Sequence, residues 1–269
     1  MSASGSIDVI LVEPSQMQQR IIGDELQRLG VNNIRIVAGG AEALAAMRAA
    51  TPALVLSAMY LPDMSGTDLV LAMRADERLS GVAFILVSSE TRPQVLDEIR
   101  QSGACAILPK PFTRAQLDRA MCATIEYLEP SETLDLDADI ELEALRVMIV
   151  DDSGNSRRFI RRVLENLGIE NFIEASNGRQ AMALLGENLV DLVITDYNMP
   201  EMDGRELVEH IRQQSWQSAV PILMVTSEQN TNRLAAVEQA GVSAICDKPF
   251  EPSTIKALIE RALAGGPSA

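Results

Sequence analysis

The chain has 269 residues, which is enough for two domains of ordinary size. Apolar residues make up 47% and charged residues 23%, a balance typical of folded globular proteins and not of disordered chains. The formal net charge of -15 argues against binding to nucleic acid or to anionic membranes, because both repel an acidic surface.

In chain order, the sequence divides into a first repeat over residues 6–128, an acidic segment over 129–143 and a second repeat over 144–264. The repeats are related by a constant shift of 138 residues, at which Lys110-Pro111-Phe112 recurs as Lys248-Pro249-Phe250. A shift of this length indicates a duplicated domain. The acidic segment holds seven acids and no base, which is typical of a solvated linker.

Each repeat alternates short apolar runs with amphipathic segments. In the second repeat the predicted strands are 147–150, 172–175, 192–195, 221–225 and 244–246, and the predicted helices are 156–167, 178–185, 205–213, 231–240 and 253–263. The first repeat follows the same order. Five β-α units in each repeat predict an α/β fold, with two flavodoxin-like (βα)5 domains in tandem, each a doubly wound parallel sheet.

Features outside the repeat pattern predict a cytoplasmic location. The apolar run 7–12 is too short for a signal peptide and is interrupted by Asp8. No apolar run approaches the roughly 18 residues that a membrane span needs. The cysteines Cys105, Cys122 and Cys246 lack CxxC spacing and lie in apolar runs, so we expect buried free thiols.

Polar side chains fall at the predicted ends of strands in the second repeat: Asp151 and Asp152 after the first strand, Asp196 after the third, Thr226 after the fourth and Lys248 after the fifth. The functional edge of such a sheet lies at these ends, so the side chains should converge. Three carboxylates repel one another, and one lysine offsets only one charge, which favours a divalent cation such as Mg2+. This pocket suits phosphoryl transfer to an Asp nucleophile.

Together with the loop Met199-Pro200-Glu201-Met202-Asp203-Gly204, these residues resemble the response-regulator receiver domain, of the CheY-like kind. The resemblance covers about 144–264 and, in degraded form, about 6–128. It implies that Asp196 is the phosphoacceptor and that Lys248 pairs with Asp196 or its phosphate. It also implies that the Lys248–Pro249 bond is cis.

The same resemblance implies the Mg2+ ligands. Asp152 and Asp196 would bind the ion through their side chains and Asn198 through its backbone carbonyl, while Asp151 would assist through water. The Thr226 hydroxyl would bond a phosphoryl oxygen. Lysine usage supports the site, because two of only three lysines, Lys110 and Lys248, lie one repeat apart in a chain rich in arginine.

The first repeat lacks the chemistry at the matching positions. Asp151 is replaced by Glu13, Asp152 by Pro14, Asp196 by Ala58 and Thr226 by Ser88, while Lys110 is retained. Ala58 offers no nucleophile and the metal loses two of its carboxylates. We therefore expect residues 6–128 to form a pseudo-receiver that neither binds Mg2+ nor accepts phosphate.

Two features of the second repeat leave alternatives open. Relatives usually carry Tyr or Phe where this chain has Ile245, so activation either relies on shifts near 226–233 or switching is weak.

A basic stripe is formed by Arg157, Arg158, Arg161 and Arg162. It is either a solvated face with local ion pairs or a docking face for a kinase or phosphotransfer domain. In the acidic segment, apolar residues alternate with acids. This pattern indicates either a disordered tether or a segment that docks on one domain or extends its last helix.

The sequence therefore predicts a two-component response regulator without a DNA-binding or enzymatic output domain. A histidine kinase or histidine phosphotransfer protein would phosphorylate Asp196 with Mg2+, and the added charge would change binding to a downstream protein. The first receiver would be an inactive adaptor. The protein would catalyse only its own aspartyl phosphorylation and dephosphorylation. An alternative hypothesis is a phosphate sink or relay intermediate, which would lose its phosphate rapidly without a partner.

Overall fold

The structure, a computed structural model, describes residues 7–129, 133–134, 142–228 and 230–264. The chain forms two compact units, Met1–Leu128 and Glu129–Ala269. Within the described ranges, no helix is both long enough and apolar enough to span a bilayer.

Five strands and five helices alternate along the first unit. The elements are β1 (Asp8–Val12), α1 (Gln16–Arg28), β2 (Asn33–Val37), α2 (Gly40–Ala49), β3 (Leu54–Ala58), α3 (Gly66–Ala75), β4 (Ala83–Ser88), α4 (Pro93–Gln101), β5 (Ala106–Pro109) and α5 (Arg114–Leu128). All neighbouring strands are parallel, and the sheet order is β2-β1-β3-β4-β5.

The second unit repeats this arrangement after a short 3-10 helix at Leu142–Ala144. Its elements are β6 (Arg146–Val150), α6 (Gly154–Asn166), β7 (Asn171–Ala175), α7 (Gly178–Glu187), β8 (Leu192–Thr195), α8 (Gly204–Gln214), β9 (Ile222–Thr226), α9 (Thr231–Ala240), β10 (Ala244–Asp247) and α10 (Pro252–Ala264). The sheet order is β7-β6-β8-β9-β10, again all parallel. The predicted tandem of two doubly wound parallel-sheet domains is confirmed.

The burial of the strands explains their composition. Every residue of β4, β8 and β9 is buried, because helices cover both faces of the sheet, and the sequence there is a continuous apolar run. The edge strands β2 and β7 are only partly buried and carry polar residues. The core of each unit therefore lies along the central strands and holds their carboxyl ends in fixed positions.

The prediction of three buried thiols is wrong for one of them. Cys105 and Cys246 are buried, but Cys122 is exposed. Cys122 lies in α5, whose buried face carries Leu117, Met121 and Thr124 at helical spacing. An apolar run on a helix places only one side against the core, and Cys122 faces the other side.

The predicted acidic linker, 129–143, falls largely outside the described residues, and its extent stays a prediction. Its described part contacts the second unit. The Leu134 side chain is only 5% exposed, and its main-chain N–H donates a hydrogen bond to the Leu167 carbonyl at 3.3 Å. Leu142 lies beside Gly168, at the turn between α6 and β7. At these residues the segment is docked on the second unit.

Candidate functional site

The register of the sheet brings the predicted site residues of the second unit together. Val150 of β6 pairs with Thr195 of β8, so the next residues, Asp151 and Asp196, leave the sheet side by side. The main-chain N–H of Asp196 donates to the Val150 carbonyl at 2.8 Å. On the other side of β8, the strands β9 and β10 end at the same edge of the sheet.

Thr226 and Lys248 leave the sheet in the same way. Thr226 ends β9 and pairs with Asp247 of β10, so Lys248 follows directly. The main-chain N–H of Lys248 donates to the Thr226 carbonyl at 2.8 Å. The Lys248–Pro249 peptide bond is cis, as predicted, and so is Lys110–Pro111 in the first unit.

Three carboxylates converge at this edge. Asp151, Asp152 and Asp196 each offer one oxygen atom, and these atoms all lie within 4.8 Å of one another. Asp151 and Asp196 are buried, whereas Asp152 lies at the exposed rim. The predicted cluster of acids is therefore present as a single pocket.

Lys248 is the cation inside this pocket. Its Nζ lies 2.5 Å from Oδ2 of Asp151 and 3.1 Å from Oδ2 of Asp196, and its side chain is 3% exposed. Burial alone lowers the pKa of an ammonium group, but the charges of Asp151 and Asp196 outweigh this effect and raise the pKa of Lys248 above its ordinary value. Lys248 therefore remains charged and bridges the two buried acids.

Asp151 is held by several donors at once. Its Oδ1 accepts the main-chain N–H of Ser153 at 2.8 Å. Its Oδ2 accepts the Ser156 hydroxyl at 2.6 Å as well as the Lys248 ammonium. The Arg157 guanidinium donates to the Asp151 carbonyl at 2.5 Å. The start of α6 thus fixes the orientation of this carboxylate.

Of the three acids, only Asp152 is exposed, and Asp196 is as deeply buried as Asp151. Oδ1 of Asp196 accepts the main-chain N–H of Tyr197 at 2.7 Å, and its Oδ2 contacts Lys248. Partial burial raises the pKa of Asp152 above its ordinary value, and the charges of Asp151 and Asp196 raise it further. Three carboxylates against one ammonium leave an excess of negative charge, and their hard oxygen atoms fit a Mg2+ ion.

The loop after Asp196 depends on Gly204, the first residue of α8. A Cβ atom at this position would overlap the carbonyl oxygen of Asp196 and lie 2.9 Å from the Cα of Tyr197. Glycine therefore allows α8 to begin directly against the segment Asp196–Tyr197. Asn198, whose carbonyl was predicted as a metal ligand, follows in this loop with an exposed side chain.

A depression of about 450 Å³ lies next to the pocket and is lined by Tyr197, Asn198, Met199, Asp203 and Arg233. It separates the loop after β8 from the start of α9. Sequence reasoning did not single out Tyr197, although its position directly after Asp196 is a usable signal.

Thr226 is fully buried and is linked to α9 through Glu228. The Thr226 hydroxyl oxygen accepts the main-chain N–H of Glu228 at 3.1 Å. The Glu228 carboxylate accepts the main-chain N–H of Asn230 at 2.8 Å and the Arg233 guanidinium at 2.7 Å. Ile245 packs against the core.

In the first unit the matching edge carries a simpler arrangement. Lys110 Nζ lies 2.6 Å from Oε2 of Glu13, and both side chains are largely buried. Ala58 ends β3 where Asp196 follows β8, and its side chain offers no oxygen. Among the residues that the structure describes, the cluster of three acids occurs only in the second unit.

Part of the basic stripe on α6 forms local ion pairs. Arg157 and Arg161 contact Glu174 at 3.1 and 3.3 Å. Arg158 donates to the side chain of Asn155. Arg162 is exposed. The local ion-pair interpretation therefore holds for two of the four arginines.

Comparison with known proteins gives two matched regions. The sequence model of the family described as "Response regulator receiver domain" matches residues 9–121 and 147–260. The chain is 39% identical over 123 residues to a chemotaxis protein CheY homolog of Campylobacter jejuni, covering 45% of this chain and 95% of that protein. It is 35% identical over 117 residues to chemotaxis protein CheY-3 of Vibrio cholerae, covering 44% of this chain and 90% of that protein.

The solved structure of Vibrio cholerae chemotaxis protein CheY4 is also similar. It has 34% sequence identity and a TM-score of 0.42, and the match covers 44% of this chain and 98% of that chain.

Proposed function

Because the chain belongs to the response regulator receiver domain family, we propose that residues 144–264 form a phosphoacceptor receiver and residues 6–128 an inactive one, joined by the linker 129–143. The family consists of switches in two-component systems and not of classical enzymes. The observation that carries the proposal is the pocket in which Asp151, Asp152 and Asp196 meet the buried ammonium of Lys248.

Asp196 is the nucleophile. One of its carboxylate oxygens attacks the phosphorus atom of a phosphohistidine, the P–N bond breaks, and the donor imidazole leaves with the bonding electron pair. The product is an aspartyl phosphate on Asp196. Lys248, already 3.1 Å from Oδ2 of Asp196, neutralises charge on the phosphoryl oxygens.

The residues present fit a Mg2+ ion, because three carboxylates with hard oxygen atoms share one pocket that a single lysine does not neutralise. Asp152 and Asp196 would hold the ion directly with the Asn198 carbonyl, and Asp151 would act through water. The ion supplies positive charge for the phosphoryl oxygens. Asp152 is suited to direct binding because it lies at the exposed rim, whereas Asp151 is surrounded by protein donors.

Transmission of the signal runs through the turn after β9. When the Thr226 hydroxyl bonds a phosphoryl oxygen, its contact with the Glu228 N–H changes. Glu228 is tied to the first turn of α9 through Asn230 and Arg233, so α9 shifts with it. This path needs no aromatic residue at Ile245 and favours helix movement over weak switching.

The proposed donor is a histidine kinase or a histidine phosphotransfer protein, and the output is altered binding to a downstream protein. Phosphorylation replaces the singly charged carboxylate of Asp196 by an acyl phosphate that carries up to two negative charges, and this biases the conformational equilibrium. The first unit acts as an inactive adaptor. Its inactivity is supported by Ala58, which has no nucleophile, and by Glu13, which neutralises Lys110.

The test is phosphorylation of the full chain by a small phosphoryl donor in the presence of Mg2+. Intact mass spectrometry should show one added phosphoryl group in the wild type and none in Asp196→Asn. Peptide mapping should place it at Asp196. A label on the first unit, or an undiminished label on Asp196→Asn, would refute the assignment. Rapid loss of the label without any partner would favour the sink over the switch.

A further inference from the structure

The hydroxyl group of Ser156 contacts a buried acid of the pocket, and the proposed reaction does not use it. Building on the proposed function, we infer that Ser156 is a positioning residue, which holds the Asp151 carboxylate in place for metal binding. Its hydroxyl donates to Oδ2 of Asp151 at 2.6 Å, and the residue is only 2% exposed. A short, buried hydrogen bond to a charged group is among the stronger kinds.

The donors around Asp151 define what this residue can still bind. An ionised carboxylate has about four acceptor sites. Ser153, Ser156 and Lys248 fill three of them. The remaining site suits a metal-bound water better than direct coordination, and the fixed donors determine where this water is accepted. Outer partners of this kind orient the groups around a metal.

Ser156 differs from Lys248 in that its position does not depend on the state of Asp196. Lys248 is shared between Asp151 and Asp196, so a phosphoryl group on Asp196 attracts its ammonium more strongly. Ser156 lies in the first turn of α6, whose start is capped by the Ser153 side chain. It therefore keeps a donor on Asp151 when Lys248 moves towards the phosphoryl group.

The first unit provides an internal contrast. Gln18 occupies the position that matches Ser156, and Glu13 the position of Asp151. The described hydrogen bonds to the Glu13 carboxylate come from the Ser15 N–H and from Lys110. The serine hydroxyl thus accompanies the copy that retains the full set of acids.

The test is Mg2+ binding to the full, unphosphorylated chain by titration calorimetry. Ser156→Ala should bind Mg2+ about tenfold more weakly than the wild type. This is the lower end of the effect expected when a metal-binding group loses a hydrogen-bond partner. Ser156→Thr retains the hydroxyl and should bind within about twofold of the wild type on the same scale. Circular dichroism establishes that each variant is folded.

Ser15→Ala is the matched control. It removes the side-chain cap of α1, the helix of the first unit that corresponds to α6, and changes no residue of the proposed Mg2+ pocket. Its Mg2+ affinity should stay near that of the wild type, although the start of α1 is weakened. Unchanged affinity in Ser156→Ala, or equal losses in Ser156→Ala and Ser15→Ala, would overturn the inference. Since no phosphoryl donor is present, a failure of Asp196 phosphorylation in a separate assay would refute the proposed function alone.

Discussion

The ammonium group of Lys110 lies 2.6 Å from the carboxylate of Glu13, so the first unit pairs one cation with one buried acid. In the second unit the corresponding Lys248 is shared by two buried acids, with Asp152 close by. The two units have the same fold but a different charge balance at the same edge of the sheet. Among the described residues, the cluster of three acids that favours a divalent cation lies in the second unit.

Mg2+ should therefore protect only the second unit. Adding Mg2+ to the metal-free chain should slow amide hydrogen exchange in residues 151–153 and 196–204, because a bound ion stabilises the state that binds it. The matching segments 13–15 and 58–66 serve as the internal control. Equal protection in both units would contradict the assigned difference.

Replacing Lys248 by Met should destabilise the second unit by about 3–5 kcal/mol, because two buried carboxylates lose their shared cation. Mg2+ should recover part of this loss by supplying positive charge. Hydrogen exchange of β8 in urea, with and without Mg2+, measures both effects. A Lys248→Met protein as stable as the wild type without metal would show that the bridge contributes little.

Replacing Asp152 by Asn should stabilise the metal-free protein at neutral pH. Because the pKa of Asp152 is raised in the folded state, folding favours the protonated form, and stability falls as the pH rises from 3.8 through the folded-state pKa. Asn does not ionise, so the Asp152→Asn variant does not lose stability in this pH range. Urea denaturation with chelator across a pH series should show its advantage shrinking as the pH is lowered, and Mg2+ should stabilise it less than the wild type.

Restoring the first unit should require more than one substitution. In an Asp196→Asn background, Ala58→Asp alone should accept no phosphate, because Pro14 leaves the metal without its second acid. Adding Pro14→Asp and Glu13→Asp should produce a label at position 58 in the mass spectrum. Labelling of the single variant would show that the missing nucleophile alone inactivates this unit.

Breaking the pair between Glu228 and Arg233 should uncouple the switch. Arg233→Ala should still be phosphorylated, but the change in hydrogen exchange at the start of α9 on phosphorylation should be lost. Arg92→Ala removes the partner of the matching Glu90 in the first unit and should leave this response intact. An unaltered response in Arg233→Ala would exclude this path.

The sequence predicted the strands and the strand-end residues because apolar runs and the repeat determine them directly. The donors around Asp151 were not predicted, because Ser156 reaches the carboxylate only through the geometry of the first turn of α6. The pairing of Glu228 with Arg233 likewise depends on where α9 begins. The exposure of Cys122 is not predictable from its apolar run, because such a run does not reveal which side of a helix faces solvent.

Under the proposed function, the methyl group of Ala58 at the end of β3 limits the number of phosphorylation states that the chain can adopt. Two working receivers would give a chain with four combinations of phosphate. With an alanine methyl group in place of one carboxylate, the proposed chemistry leaves only two, bare or singly labelled at Asp196. Such a chain responds to phosphorylation at one site and does not combine the signals of two phosphoryl donors acting on two sites.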